Sequence, residues 1–240
     1  MGPNGTTMVG IAETRIQGAT MQTVVITGAT GGIGLEFCRR YKEKGFHVVG
    51  ICRKATEALK ELGIDIIDGI DLTKEAAFSS VQDQLNGKTI DILINNAGLL
   101  ESNSLSSIDY ASIRRQFEIN AIAPLRLSEM LENQMADGGK IAMITSRMGS
   151  IADNTSGGSY GYRASKTALN MIGVSLAHDL SHRKIWVGLL HPGYVTTKMT
   201  GMTGHITPEV SVAGMLQIIE QAQPNNTGLF WHSNGERLPW

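Results

Sequence analysis

Two side chains four residues apart, Tyr162 and Lys166 in the stretch YRASK, carry the parts of a proton-transfer pair. On a helix such a pair shares one face, with Cβ atoms about 5–6 Å apart. A phenol of ordinary pKa, about 10, is a poor acid or base near neutrality. A neighbouring ammonium favours the phenolate, so the spacing predicts a Tyr162 pKa drawn down by Lys166. Tyr160 lacks this partner, because residue 164 is alanine. An ordinary helix surface can also carry Y-x-x-x-K, so the weight falls on three earlier segments. NNAG, residues 95–98, ends an apolar strand; Asn120 lies in the helical stretch QFEIN; Ser146 ends a further strand in MITS. The carboxyl ends of strands are where open α/β sheets bind ligands.

A second constellation is made of glycines. TGATGGIG, residues 27–34, follows the first strand and opens the first helix. Gly28, Gly32 and Gly34 allow a tight turn and a close approach to a pyrophosphate, with the amides and dipole of the helix start behind it. Their spacing departs from G-x-G-x-x-G, and a glycine-rich turn without a ligand is the plainer reading. Arg53 and Lys54 follow the second strand. An acidic residue there would bond the ribose 2′-hydroxyl of NAD, whereas arginine, a planar and permanently charged fork, suits a 2′-phosphate. The expectation is NADP(H), with NAD(H) the second choice and two merely solvated cations the bland alternative.

The elements that must position these groups follow from periodicity. Short β-branched runs at 23–27, 47–52, 64–67, 90–94, 140–144, 185–190 and 229–232 alternate with amphipathic stretches such as 34–44 and 74–85. Gly45 and Gly63 stand where helix C-terminal caps are expected, and Thr207-Pro208 opens a later helix. Near-continuous apolar strands between helices mean parallel strands covered on both faces. The predicted fold is α/β: a single-domain Rossmann fold, a doubly wound parallel sheet of about seven strands over residues 21–240. Residues 1–20 show no hydrophobic periodicity and no signal-peptide pattern, and read as a disordered extension or an upstream start before Met21. Met1-Gly2 with Thr6 fits a myristoylation pattern only loosely, with Pro3 against it.

Composition narrows the classes. The 21 basic and 22 acidic residues leave a net charge of -1, which argues against a nucleic-acid partner. No apolar run reaches the 18 or more residues needed to cross a bilayer. Two cysteines, Cys38 and Cys52, are too few for a disulfide scaffold and predict a reducing, cytoplasmic compartment. The 28 glycines among 240 residues exceed the roughly 7% of average usage, and ten fall on the predicted turns around the site.

Taken in order, TGATGGIG, NNAG, Asn120, Ser146, YRASK and His191-Pro192-Gly193 resemble the short-chain dehydrogenase/reductase superfamily in its compact form, from Met21 to Trp240. The segments CRK, YRASKTALN, HPGYVTT and GERLPW further resemble its C-factor and sniffer-type carbonyl reductases. The resemblance implies an NADP(H)-dependent oxidoreductase interconverting a carbonyl and an alcohol. Tyr162 would be the general acid and base; Lys166 would lower its pKa and bond the nicotinamide ribose; Ser146 would polarise the carbonyl; Asn120 would help order a relay water. Thr30 and Ile33 belong to the implied cofactor turn, and Asn95, Ala97 and Gly98 line the site. Asp71 and Leu72 would flank the adenine; Pro192, Gly193, Val195 and Thr197 would meet the nicotinamide. It also implies a homodimer or homotetramer built on the helices holding Asn120 and Tyr162. A dinucleotide-binding signalling or scaffold protein with little turnover is the alternative, and epimerisation with retained cofactor a third reading.

Several residues point elsewhere at first sight. Ser146 precedes Tyr162 by 16 residues, longer than the family's usual interval, so Gly157 and Gly158 imply a loop that must bulge outward; Ser150 is the fallback. His178 and His182 are spaced i, i+4, but HDLSH lacks the glutamate of H-E-x-x-H, and no metal is expected. His191 reads as structural and Cys38 as core; Cys52 beside Arg53 could gain thiolate character. Residues 197–207, with Met199 and Met202, read as a mobile lid over an apolar carbonyl substrate.

Overall fold

The computed structural model describes residues 21–240; the extension read at 1–20 lies outside them. Seven parallel strands form one sheet in the order β3-β2-β1-β4-β5-β6-β7. They are β1 Thr23–Thr27, β2 His47–Ile51, β3 Asp65–Ile67, β4 Ile90–Asn95, β5 Met135–Ile144, β6 Trp186–His191 and β7 Leu229–His232. The helices between them are α1 Gly32–Glu43, α2 Glu57–Lys60, α3 Glu75–Leu85, α4 Tyr110–Phe117, α5 Ala123–Leu131, α6 Tyr160–Asp179 and α7 Pro208–Glu220. The strand order reverses between β1 and β4, so the loops after them open a crevice at the carboxyl edge, the switch point where such sheets bind ligands.

Strand side chains alternate between two faces, and each face has its own core. Val25, Leu93, Ile141 and Val187 pack toward Leu127, Leu131 and Leu169. Val24, Ile26, Ile94 and Ala142 pack toward Phe37, Tyr41 and Met215. The expected caps form: Gly45 and Gly63 have φ of +79° and +57°. Thr207 accepts the Val210 amide at the start of α7, with Pro208 in its first turn.

Most boundaries move by a residue or two, and three placements matter for the site. β5 begins at Met135, five residues before the predicted start, because Met135 pairs with Ile90 across a register shift that contains the flexible Gly138-Gly139. Asn120 sits in a π-helical turn, Glu118–Ile122, between α4 and α5. Ser146 lies two residues beyond β5, where its hydroxyl accepts the Met148 amide (3.1 Å) and caps the 3-10 turn Arg147–Gly149.

Candidate active site

The glycine turn is built for close approach. Gly28 has φ +67°, and a Cβ there would sit 2.9 Å from Ala97 Cα. A Cβ on Gly34 would collide with the Gly28 carbonyl oxygen, whereas one on Gly31 would meet nothing within 4 Å, so the turn is closed behind and open in front. No side chain caps the first turn of α1, whose N-cap is Gly31. Thr30 is tied through its carbonyl to the Thr56 hydroxyl (3.1 Å), and Ile33 packs against the core beneath.

Two residues that sequence reasoning passed over lock this turn to NNAG. The Thr27 hydroxyl accepts the amides of Asn96 and Ala97, both at 3.0 Å. Asn96 Nδ2 donates to the carbonyls of Thr27 (2.9 Å) and Gly28 (3.2 Å). Asn95, expected to line the site, turns its side chain into the core toward Ser128 and Met143. Strand alternation is the reason: consecutive residues face opposite ways, so only the second asparagine can reach the turn. Adjacent identical residues hid which of them faced it.

Around α6 the predicted reactive groups converge. Tyr162, Ser146, Lys166 and Asn120 are all buried. Lys166 Nζ lies 5.8 Å from the Tyr162 ring centroid and donates to the Ile144 carbonyl at the end of β5 (2.8 Å). The depressed phenol expected from their spacing is not what the fold produces. Burial pushes Tyr162 up to about 12, opposed by the nearby Ser146 hydroxyl, and pulls Lys166 down to about 7. Desolvation disfavours both charged forms, and here it outweighs the attraction between them.

The Asn120 side chain ties neighbouring segments together. Its Oδ1 accepts the Leu99 amide (2.7 Å), and its Nδ2 donates to the Leu99 carbonyl (2.8 Å) and to Ser165 Oγ (3.0 Å). Ser165 in turn donates to the Tyr162 carbonyl (2.8 Å), so Asn120 fixes both the NNAG loop and the first turns of α6. Ser150, the fallback, accepts the Asp153 amide (3.1 Å), as Ser146 accepts that of Met148 (3.1 Å); what favours Ser146 is its place against Tyr162. Residues 151–157 are exposed, so the long loop does bulge outward.

The remaining expected residues ring the same edge. Arg53 is exposed after β2 and lies near Asp71, whose carboxylate is held low chiefly by the Thr73 amide and hydroxyl. Leu72 is buried beside it. Gly98 lies under Asn120 and Met199: a Cβ there would be 3.3 Å from Asn120 Oδ1, 3.7 Å from Met199 Cε and 3.8 Å from Lys166 Nζ. Pro192 offers its carbonyl to Ser211 (2.6 Å) and Ser233 (3.0 Å), and Gly193 has φ +86°. Val195 is buried and pairs with Ile206 in a short parallel bridge. Thr197 reaches back over the glycine turn, 2.9 Å from a Cβ placed on Gly32. The loop expected to act as a lid is pinned at its base by the Val195–Ile206 bridge; Met199 and Met202 are both exposed, and Met199 also reaches the Gly98 position. A cavity of about 310 Å³, lined by Tyr41, Lys44, Asp91 and Lys140, opens at the opposite edge of the sheet.

Residues 22–206 match the profile of the short chain dehydrogenases. The chain belongs to the short-chain dehydrogenase family. Among curated relatives of this short-chain dehydrogenase is the 1-hydroxy-2-glutathionyl-2-methyl-3-butene dehydrogenase of Rhodococcus, 38% identical over 92% of the chain and 100% of the relative. Another is the C-signal of Myxococcus xanthus, 42% identical over 63% of the chain and 93% of the relative. Among solved structures, NADPH-bound carbonyl reductase from chicken fatty liver superposes with a TM-score of 0.82 at 29% identity, covering 92% and 99% of the two chains. These matches agree with the C-factor and carbonyl reductase resemblance of the motifs.

The other candidates fall away for physical reasons. Cys52 donates to Asp68 (3.6 Å), and burial and that carboxylate push its thiol up to about 11, so it gains no thiolate character. His191 is pulled down to about 3 by burial and packs edge-on against His232 at 4.9 Å. Among the described residues no group of three metal-ligating side chains exists, and no helix is long and apolar enough to cross a membrane.

Proposed function

We propose that this short-chain dehydrogenase interconverts a carbonyl and an alcohol using NADP(H). The observation that carries the reading is the convergence of Ser146, Tyr162 and Lys166 at the carboxyl edge, beside a glycine turn open toward the same crevice. The residues fit a dinucleotide: Gly28 and Gly34 leave no room for a Cβ, and the α1 amides lack a capping side chain. Arg53 would hold the 2′-phosphate, Asp71 and Leu72 the adenine, and Pro192, Gly193, Val195 and Thr197 the nicotinamide end. When bound, the nicotinamide supplies or accepts the hydride at the substrate carbon.

In reduction, Ser146 holds the carbonyl oxygen and Tyr162 donates its phenolic proton to it. The pKa near 12 keeps that proton in place until the oxygen becomes basic. In oxidation the Tyr162 oxygen, as phenolate, takes the hydroxyl proton from the alcohol, and Lys166 in its charged form favours that phenolate. Asn120 acts as a positioning residue, holding the loop after NNAG against the start of α6.

Following NADPH absorbance against ketones, aldehydes and quinones tests this, with Tyr162→Phe as the control. The Rhodococcus relative's name pairs a hydroxyl with a neighbouring glutathione-bearing carbon, so such conjugates belong in the panel in the oxidative direction. The C-signal match favours one second reading, a dinucleotide-binding signalling protein. That reading expects NADPH binding with little turnover across the panel. We also infer a homodimer or homotetramer, since Tyr110, Ile122, Leu125 and Met171 stand exposed on the helices around Asn120 and Tyr162. A solution mass of two or four times 25.8 kDa is the expected result.

A further inference from the structure

After β7 the chain turns back on itself. The His232 amide donates to the Glu236 carbonyl (2.8 Å), the Leu238 amide donates to the Phe230 carbonyl (2.9 Å), and Trp231 pairs antiparallel with Arg237. Leu238 is buried against Phe230 and Leu189, and the Trp240 ring stacks on Phe230 at 5.6 Å. This hairpin covers the free edge of β7, which would suffice as a structural role. Its outward contacts go further.

At one end it meets the turn assigned above to the nicotinamide. Ser233 donates through its hydroxyl to the Pro192 carbonyl (3.0 Å), and a Cβ on Gly193 would lie 3.6 Å from both His232 Cε1 and Ser233 Oγ. At the other end it holds the loop between Ser146 and Tyr162. The Ala152 amide donates to the Trp240 carbonyl (2.8 Å), and Arg147 is paired with Asp153 (3.3 Å) and Glu236 (3.9 Å). The far end of that loop is tied to α6 by Arg163, which donates to the Gly157 carbonyl and to Ser156 Oγ. The loop is therefore fixed beside Ser146, beside Tyr162 and at its middle; the loop after β4 also holds its Tyr162 end, where the Ser159 amide donates to the Asn103 carbonyl (2.8 Å), and the hairpin holds its middle and its Arg147 end.

We propose that the hairpin of residues 232–240 braces the substrate loop. Trp240, and to a smaller extent Glu236, are positioning residues that set carbonyl-substrate specificity by holding Ala152 and Arg147. Trp240 carries more because its ring is stacked, whereas Glu236 makes an exposed ion pair, a kind of contact worth little. The kinetic part rests on the carbonyl reductase reading; the loop geometry does not.

The test uses the full chain and the variants Trp240→Ala, Trp240→Phe and Glu236→Gln. In Trp240→Ala, amide exchange over residues 150–156 should rise about tenfold, and KM for bulky ketones roughly 3- to 10-fold, from the loss of one aromatic stack. NADPH affinity should stay within about twofold, because the brace reaches the cofactor side only through Ser233 and His232. Trp240→Phe should restore both readouts, and Glu236→Gln should change KM by less than about threefold. Unchanged loop exchange in Trp240→Ala overturns the brace, as does a parallel loss of ketone and NADPH binding. If the unaltered protein reduces no carbonyl, the preceding reading fails instead, and the exchange comparison still decides the brace.

Discussion

Two lysines, Lys140 within β5 and Lys166 on α6, make nearly the same bond at opposite edges of the sheet and differ in consequence. Lys140 donates to the Ile219 carbonyl (2.6 Å) toward the amino edge; Lys166 donates to the Ile144 carbonyl (2.8 Å) at the carboxyl edge. Burial pulls both below the ordinary lysine value. Lys140 is only partly buried and has Glu220 nearby to favour its charge, whereas Lys166 is enclosed with no carboxylate against it and falls to about 7. A lysine that can lose its charge near neutrality costs folding free energy and suits proton chemistry. The contrast sets Lys140 apart from the proposed reactive lysine more clearly than either hydrogen bond does.

The largest expected effect breaks the pair by deletion. Tyr162→Phe and Lys166→Met should each lower kcat/KM for carbonyl reduction by about 10²–10⁴-fold, the usual span of acid-base assistance. Lys140→Met should leave it within about twofold, and steady-state kinetics on all three decides. Equal losses in Lys140→Met and Lys166→Met would erase the distinction.

Next in size is the cofactor test. Arg53→Ala should weaken NADPH relative to NADH by roughly 10- to 100-fold, the scale of one or two charge-assisted contacts to phosphate. Binding titrations with both nucleotides measure it, and an unchanged ratio would remove Arg53 from the site.

A pH profile sharpens the comparison with a smaller effect. Tyr162, near 12, stays protonated over the working range, so the reduction profile should follow Lys166. Its charge is lost as pH rises through about 7, and kcat/KM should fall over that interval. Lys166→Arg, which stays charged, should abolish the inflection, while Lys140→Arg should keep it.

Stability should respond with the opposite preference. The Lys166 pKa is lower in the folded protein than the ordinary 10.5, so the unfolded chain holds more protons between about 7 and 10.5. Its unfavourable contribution therefore grows as pH falls through that window and is complete below about 7. Lys166→Met should raise Tm at pH 6 and change it little above 10.5, whereas Lys140→Met should shift Tm less at either pH. Thermal unfolding at the two pH values checks both signs.

Much of this architecture was legible from residue order. Strand runs, cap glycines and Thr207-Pro208 are local signals, and apart from the start of β5 they fall within a residue of where periodicity placed them. TGATGGIG and YRASK were readable for the same reason: their chemistry depends on spacing along one turn or one helix face. Asn96 escaped because NNAG does not say which asparagine faces the turn; only the register of β4 does. The π turn at Asn120 and the early start of β5 escaped because neither alters the apolar pattern.

The sequence by itself determined the class of fold, and it singled out the glycine turn and the Tyr162–Lys166 pair on which the proposed function rests. It also set the family, through motifs that recur in fixed order. Tertiary structure alone decided the electrostatics, reversing the expected shift of Tyr162, because desolvation depends on what encloses a group and not on its neighbour four residues away. It alone also brought residues 232–240 onto the loop after Ser146, a contact between segments some ninety residues apart that no local pattern encodes.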